Sequence, residues 1–425
     1  MNQTIFLIQS ALGVYFIVLA FAAVARIKIL TFLTTLLPQT RRGCLLSSVL
    51  FLMTGVACFI STMVPFAVFF ASCLALVAAA FLMRQTFYSK RRQLWSIPLL
   101  IAIGSIAAVI AQPLGLKVLA LPKADDLPIV PVPTRVVKTY DEGLWFEGIT
   151  ASSDGTLYLA GNRNLNFARS DYYREAQGEV IMRSPDGIEH VLFKTPAGST
   201  AGVLTVSATG TLYMTSHSEA SVIWKIGADG QSKKLAQLPP GSWPNGIDLG
   251  PDNMLYSPDS ALGIIWQINP DTGNAKPIIE DKLLLARPFI ALAPGANGLH
   301  FKGRDMYVTV SDRTIILKYT LGSAGQVGTP NVVATGIPGD DFAIGRDGSL
   351  FVTTHPYNTI VRVAPDGIRT IIGNQDQRII GATDAVFGNG ADDRDTLYVV
   401  TDGGAFTGGP KTRGELIALR PFSQK

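Results

Sequence analysis

The stretch WPNGIDLGPDNMLYSPDS, residues 243–260, decides the fold because related versions of it recur along the chain. It has the pattern of an apolar strand, a turn at Asp252 and Asn253, and a second strand that contains Leu-Tyr. An Asn-Gly pair at 245–246 precedes the first strand, where no hairpin turn is due. Turn formation alone therefore does not explain Asn245.

Six segments share this order of a small or polar residue, a strand, a turn and a second strand. They are EGITASSDGTLYLAGN (147–162), AGVLTVSATGTLYMTSH (201–217), NGIDLGPDNMLYSPDS (245–260), NGLHFKGRDMYVTVS (297–311), DDFAIGRDGSLFVTTH (340–355) and TDAVFGNGADDRDTLYVVTD (383–402). Their starts are 54, 44, 52, 43 and 43 residues apart, with further strand-like runs between them. Such a period is typical of propeller blades. The sequence predicts an all-β six-bladed β-propeller over residues 135–425, in which TRVVKTY (134–140) supplies a strand that the last blade lacks.

The repeat also predicts where polar residues meet. In a propeller the first strand of every blade lines the central axis, and the second strand returns to the same mouth. The first-strand starts are Glu147, Ala201, Asn245, Asn297, Asp340 and Thr383, and the returning ends are Asn162, His217, Ser260, Ser311, His355 and Asp402. We expect both sets to face one polar pocket.

Four of the first-strand positions, Glu147, Asn245, Asn297 and Asp340, carry side-chain oxygens. Crowded carboxylates near an axis require a cation. An oxygen-only set favours calcium over zinc, with magnesium and manganese as the alternatives. Under the simpler alternatives, the two asparagines are turn residues and Glu147 is a solvated charge at the end of a strand. Asp340 and Asp341 point to opposite faces if both lie in a strand, so only one of them is expected to be the ligand. The alignment with the other five units favours Asp340.

Two histidines, His217 and His355, occupy the same repeat position at the pocket end, so we expect them to contact substrate. His190 and His300 lack that placement and are interpreted as structural. A recurring aromatic position is interpreted as packing between blades; its members are Tyr158, Tyr213, Tyr256, Tyr307, Phe351 and Tyr398.

The N-terminal part of the chain has a different composition. Residues 1–116 contain Lys and Arg but no acidic residue, and apolar runs at 5–25, 44–83 and 94–111 are long enough to cross a bilayer. They predict a transmembrane domain over 1–112, with helices at about 4–25, 44–62, 64–83 and 94–112. A proline-rich linker over 113–134 follows. A cleaved signal peptide over 1–25 is the alternative, but its first residues carry no positive charge.

Charge predicts the orientation of these helices. The basic residues lie in loops 26–43 and 84–93, which are therefore expected to be cytoplasmic, with both chain ends outside. We expect an integral protein of an inner or plasma membrane whose propeller is extracytoplasmic, or periplasmic. The rest of the chain has 28 basic against 32 acidic residues, which gives no basic face for nucleic acid. All three cysteines lie in apolar spans, so no disulfide framework is implied.

Four of the blade sequences resemble a known family over residues 135–422. FEGITASSDGTLYLAGN, WPNGIDLGPDNMLYSPDS, GANGLHFKGRDMYVTVSD and IPGDDFAIGRDGSLFVTTHP are similar to the calcium-dependent propellers of the senescence marker protein (regucalcin)/gluconolactonase family, which is related to paraoxonases and strictosidine synthase-like proteins. The resemblance implies metal binding by Glu147, Asn245 and Asp340. It implies an additional ligand at Asn297, with Asp341 as a further position, as in paraoxonases, and a base at His217.

The chain also departs from these families. Ala201 stands where paraoxonases have a second histidine, and the substrate-binding Asn of gluconolactonases is missing near Thr200 and Ala201. Gly148 and Gly246 replace the Asp residues of a structural calcium, so the resemblance implies a single metal ion.

These observations predict a membrane-anchored, calcium-dependent hydrolase of small lactones or esters. Asp340, Glu147 and His217 are the expected catalytic residues, and His355, Asn162 and Asp341 are expected to bind substrate. The loop NRNLNFARSDYYREAQ (162–177) is expected to overhang the pocket. The alternatives are a non-catalytic metal-stabilised propeller that binds a ligand or protein, and a strictosidine synthase-like enzyme.

Overall fold

The repeats fold into six four-stranded antiparallel sheets in the part of the chain that the computed structural model describes, residues 127–166, 171–286, 294–323, 325–405, 409 and 411–422. The first strands of successive blades contact one another in a closed circle. This arrangement confirms the predicted six-bladed β-propeller.

Blades 1 to 5 take their strands in chain order from the axis outward. Blades 1 to 3 comprise β2 (Trp145–Ala151), β3 (Leu157–Arg163), β4 (Gln177–Arg183) and β5 (Glu189–Lys194); β6 (Leu204–Val206), β7 (Leu212–Ser216), β8 (Val222–Ile226) and β9 (Ser232–Gln237); and β10 (Asp248–Leu249), β11 (Leu255–Asp259), β12 (Ile264–Ile268) and β13 (Ala275–Glu280). Blades 4 and 5 comprise β14 (Ala296–Lys302), β15 (Asp305–Val310), β16 (Ile315–Thr320) and β17 (Asn331–Thr335); and β18 (Phe342–Ile344), β19 (Leu350–Thr353), β20 (Ile360–Val363) and β21 (Arg369–Gly373). Two short 3-10 helices cover Ser311–Arg313 and Gln375–Gln377.

Blade 6 is completed from the two ends of the propeller sequence. It contains β22 (Ala382–Phe387), β23 (Leu397–Thr401) and β24 (Glu415–Leu419), and its outermost strand is β1 (Thr134–Thr139). β1 pairs antiparallel with β24, so that Val136 lies opposite Ile417. The predicted closure by residues 134–140 is confirmed. It covers an edge of β24 that would otherwise present unpaired backbone groups.

The hydrophobic core is divided into clusters between adjacent blades. Tyr158 and Val180 of blade 1, for example, pack against Leu212 and Met214 of blade 2. The recurring aromatic residues lie in this packing: Tyr158, Tyr213, Tyr256 and Phe351 are buried, and Tyr307 and Tyr398 are partly buried. The blades therefore adhere through apolar side chains at a repeated strand position.

The turn at Asp252 and Asn253 joins the first two strands of blade 3. Asn253 has a φ of 60° and its N–H donates to Gly250 O at 3.0 Å. Asp252 Oδ1 accepts a hydrogen bond from the N–H of Met254 at 3.2 Å. Asn tolerates this left-handed conformation better than most residues, so the interpretation of this pair as the hairpin turn is confirmed.

Most of the predictions for the N-terminal part of the chain concern residues outside the described ranges. The predicted membrane helices within 1–112 and the first part of the linker are among the residues that are not described. The last part of the linker packs on blade 5, where the N–H of Val130 donates to Ile371 O at 2.8 Å and Val132 is buried. Among residues 127–166, 171–286, 294–323, 325–405 and 411–422, no helix is both long and apolar enough to cross a membrane.

Closure of blade 6 is expected to be sensitive to the loss of apolar volume in β24. Ile417 is 0% exposed, packs between blades 5 and 6 and faces Val136. Ile417→Ala should lower the free energy of unfolding by about 2–5 kcal/mol because it leaves a cavity. Val332→Ala is the control: Val332 is 54% exposed in β17, and its loss should change the free energy by less than about 0.5 kcal/mol. Urea unfolding followed by circular dichroism measures both, and equal effects would contradict this account.

Candidate functional site

In three blades, the predicted residue at the start of the first strand lies at an irregularity in the pairing with the second strand. In blades 1, 4 and 6 the register between the first and second strands shifts around Glu147, Asn297 and Thr383. A bulge of this kind leaves a residue unpaired and redirects its side chain. In blades 3 and 5 the ring residues Asn245 and Asp340 lie just before the first strand, and their N–H groups donate to Pro258 O at 3.0 Å and Thr353 O at 2.8 Å.

We call Glu147, Asn245, Asn297 and Asp340 the upper ring. Backbone hydrogen bonds tie its neighbouring blades together: Gly246 N–H donates to Asn297 O at 3.0 Å and Gly298 N–H to Asp340 O at 3.0 Å. The side chain of Asn297 donates from Nδ2 to Asp340 Oδ1 at 2.6 Å and to Ser311 Oγ at 3.0 Å. Since both bonds use Nδ2, the carboxamide oxygen of Asn297 is left for another ligand.

The carboxyl groups of Glu147 and Asp340 are partly buried, and their partial removal from water is the main reason why their charge is unfavourable. It raises the pKa of Glu147 to about 7, with the charges of Asp402 and Asp341 adding to the effect and that of His355 opposing it. Burial also raises the pKa of Asp340 well above its usual range. A bound cation would favour the charged form of both groups. The oxygen set fits a hard divalent ion such as calcium.

His355 lies between two carboxylates at this mouth. Its Nε2 is 3.0 Å from Asp402 Oδ2, and its Nδ1 is 3.8 Å from Asp340 Oδ2. Burial lowers the pKa of His355, but the hydrogen bond and the surrounding carboxylate charges outweigh it and raise the pKa to about 9. His355 is therefore an imidazolium near neutral pH and is not available there as a proton acceptor.

His217 has the opposite electrostatic environment. Its ring lies against Trp243, with centroids 5.6 Å apart, and its Nδ1 is 3.5 Å from Ser221 Oγ. Burial lowers the pKa of His217 to about 4, and the charge of Asp259 offsets this only in part. A neutral imidazole can accept a proton, which is the property that a general base requires.

An aromatic wall, formed by Tyr172 and Trp243, stands beside His217. The two rings are stacked with centroids 6.2 Å apart, and Trp243 is 41% exposed. Burial and the nearby charge of Glu147 raise the pKa of Tyr172. Tyr172 belongs to the loop expected to overhang the pocket, and the described part of that loop does reach the neighbourhood of Glu147.

Two of the remaining predicted residues make specific structural contacts. Asn162 accepts from Ala201 N at 2.8 Å and donates to Ala201 O at 2.7 Å, so its amide joins blades 1 and 2. Contact of Asn162 with substrate would compete with these bonds. Asp341 contacts His300, with Oδ1 3.0 Å from Nε2. The binding of substrate by both residues stays a prediction.

A second layer of polar residues lies along the first strands, and we call it the lower ring: Thr205, Asp248, His300, Asp341 and Asp384. Thr205 Oγ1 donates to Asp248 Oδ1 at 3.1 Å, and Asp248 Oδ2 is 3.5 Å from His300 Nδ1. Asp384 Oδ2 accepts from the N–H of Ile149 at 2.8 Å. Burial lowers the pKa of His300, but the charge of Asp341 and the hydrogen bonds to Asp248 and Asp341 raise it well above its usual value.

The interpretation of the sequence did not anticipate the lower ring. His300 was interpreted as structural, and Asp248 and Asp384 were not singled out. A signal was present in the repeat, because Asp248 and His300 both stand three residues after the ring asparagine of their units, in NGID and NGLH. Neither residue type suggests a partner by itself, and the contact appears only when blades 3 and 4 are side by side.

No protein-family model and no curated protein matches the chain. Among solved structures, the calcium-binding protein regucalcin from Agrobacterium tumefaciens is similar at 18% identity and a TM-score of 0.48, over 69% of this chain and 95% of that chain. A gluconolactonase from Xanthomonas campestris has 19% identity and a TM-score of 0.46, over 69% and 96%. Virginiamycin B lyase from Staphylococcus aureus has 15% identity and a TM-score of 0.42, over 67% and 98%. At these values the likeness is limited to the fold, which the six sheets establish independently.

The low pKa of His217 predicts a pH-dependent contribution to stability. Between the pKa of an unfolded His, about 6.5, and about 4, the unfolded chain binds a proton that folded His217 does not. The stability is therefore fully present above pH 6.5 and is lost as the pH falls. From pH 7.5 to 5 the loss should be about 2 kcal/mol, and His217→Gln should remove that part of the pH dependence. Urea unfolding at the two pH values measures it; equal pH dependence in both proteins would contradict the assignment.

Proposed function

We propose that the propeller is a calcium-dependent hydrolase of small esters or lactones. The upper ring is the observation that carries this proposal, because the partly buried carboxyl groups of Glu147 and Asp340 interact electrostatically and Asn297 bonds to Asp340 where the blades' first strands begin. The repeat assigns Asn245 to the same ring. Ala201 and Thr383, from the two blades that flank blade 1, offer no carboxylate or amide oxygen, so the proposed set has four protein ligands and leaves coordination positions for a substrate oxygen.

The upper ring is proposed to hold the ion through Glu147, Asn245, Asn297 and Asp340. Oxygen ligands of this kind suit calcium better than zinc. When bound, calcium would supply Lewis-acid polarisation of the ester or lactone carbonyl. Asn297 is oriented for this role by Ser311 and Asp340, which hold its Nδ2. His355 lies between Asp340 and Asp402 and keeps the Asp340 carboxylate oriented at the mouth.

Proton transfer is proposed to fall to His217. Its low pKa leaves it neutral, so it can accept the proton of an attacking water molecule near neutral pH. His355 cannot do this while it is protonated. Glu147 and Asp340 are the alternative proton acceptors. Trp243 packs against His217 and stacks on Tyr172, and the two aromatic rings form a surface against which an apolar part of the substrate can pack.

Membrane anchoring and location remain part of the proposal. The apolar runs within 1–112 and the basic loops support an integral protein with an extracytoplasmic propeller. The helices are proposed to serve as an anchor, because residues 1–116 contain no acidic residue and an ion pathway usually contains intramembrane charge.

A non-catalytic binding propeller is the second candidate. The observation that favours it lies in blade 6, at the position equivalent to the upper-ring residues. Thr383 Oγ1 there contacts Phe146 O at 3.0 Å and Val400 O at 3.3 Å, so its side chain makes structural contacts. A strictosidine synthase-like enzyme is a further alternative, and it would not need a metal. Intact calcium binding without turnover of any lactone or aryl ester indicates the binder, whereas turnover that survives chelation indicates the metal-free enzyme.

Metal content tests the upper ring. Glu147→Gln and Asn245→Ala should each lower the calcium retained by the full-length protein at least tenfold, because each removes an oxygen ligand. Glu219→Gln and Asn274→Ala, which change exposed residues of the same types, should retain it. Elemental analysis after dialysis gives the stoichiometry. Unchanged calcium in both ring variants would refute the upper ring as a binding site.

Activity tests the base. His217→Gln should lower kcat by roughly 10²–10⁴ on any ester or lactone that the wild type hydrolyses, with calcium content unchanged, because it removes the proton acceptor and no ligand. His190→Gln, at an exposed histidine, should have full activity. The measurement is a pH-stat assay of full-length protein. If His217→Gln retained wild-type kcat, the proton would have to be transferred by Glu147 or Asp340.

A further inference from the structure

We propose that His300, Asp341 and Asp384 of the lower ring form a second cation site, specific for a divalent transition-metal ion. The three side chains each provide one potential ligand atom, and these atoms lie within 4.8 Å of one another. They come from blades 4, 5 and 6, so a bound ion would join three blades at the axis. The site shares no residue with the upper ring and does not depend on the proposed hydrolysis.

The Asp341 carboxylate supplies the second, independent observation. This residue is 2% exposed, and its Oδ2 atom has no hydrogen-bond partner. Its Oδ1 atom is engaged by His300 Nε2 at 3.0 Å and by the N–H of Phe342 at 2.8 Å, so the carboxylate is held in one orientation. An unpaired buried carboxylate oxygen is unfavourable by an amount that a cation would offset.

The imidazole of His300 is oriented as it is in many metal sites. Asp248 Oδ2 faces Nδ1 at 3.5 Å, which leaves Nε2 on the side of Asp341. A carboxylate on the remote nitrogen of a histidine sets its tautomer and strengthens it as a ligand. Asp248 is itself held by the N–H of Phe301 at 3.0 Å and by Thr205 Oγ1. Asp248 is therefore a positioning residue.

Asp384 completes the set from blade 6. Its two oxygens accept hydrogen bonds from the N–H groups of Ile149 at 2.8 Å and Ala385 at 2.6 Å. A carboxylate has about four lone-pair directions, so both oxygens retain capacity for a metal. These backbone bonds hold the carboxylate in place before an ion arrives.

The donor types determine the class of ion. One imidazole nitrogen with carboxylate oxygens suits zinc and other first-row transition metals, whereas the upper ring is oxygen-only and suits calcium. Binding through Nε2 requires that the proton between Nε2 and Asp341 Oδ1 leave for solvent as the metal–nitrogen bond forms. The two rings would therefore bind different metals.

Zinc titration of full-length protein tests the site. Tag-free protein is stripped with chelator, dialysed and saturated with calcium, and zinc binding is followed by calorimetry. The wild type should bind one zinc per chain. His300→Ala and Asp384→Asn should bind it at least tenfold more weakly. Glu147→Gln should bind zinc as the wild type does, since its side chain belongs to the upper ring. His190→Ala, a change at an exposed histidine, is the matched control.

Two outcomes would overturn the proposal. One is a calcium-saturated wild type that binds no zinc. The other is His300→Ala binding zinc as tightly as the wild type, which would mean that zinc binds elsewhere on the protein. Circular dichroism checks that the variants fold. If they do not fold, the visible absorption spectrum of cobalt bound to the wild type tests the site instead. A cobalt ion with a nitrogen ligand and a low coordination number gives more intense bands than one coordinated by six oxygens. Weak, oxygen-type bands would count against the site.

Discussion

Negative charge buried near the axis of the propeller is the constraint on which the rest of the site depends. Carboxylates from different blades meet there in two layers: Glu147, Asp340 and Asp402 near the mouth, and Asp248, Asp341 and Asp384 in the lower ring. Charges of one sign in a buried volume must be protonated, paired or bound to a cation. Each layer contains one histidine between two carboxylates, His355 above and His300 below.

The fold tolerates this charge because the blades are held together elsewhere. Apolar clusters between adjacent sheets supply the cohesion, and β1 closes blade 6 against β24. The polar residues at the axis are therefore not needed to hold the blades together. The register shifts around Glu147, Asn297 and Thr383 direct these positions out of the regular ladders. The polar rings are positioned by backbone geometry that the outer strands stabilise.

The two histidines at the mouth show how position within one repeat can lead to opposite chemistry. His217 and His355 occupy equivalent ends of returning strands. His355 is surrounded by carboxylates and is protonated, with a pKa of about 9, whereas His217 lies against Trp243 and is neutral, with a pKa of about 4. Their roles diverge because the neighbouring blades contribute different partners.

The sequence by itself determined the number of blades and the closing strand, and it predicts the members of the upper ring. It could do so because those features depend on a repeat of about 40 to 50 residues and on strand alternation, both of which are local properties. Asn245 is predicted to be a ring residue because Asn297 and Asp340 stand at the same place in other units. Only the tertiary structure decided the lower ring, the different protonation of His217 and His355, and the use of Asn162 to join Ala201 of the next blade. Those features depend on contacts between residues far apart in the chain and on burial, which no local pattern of residues records.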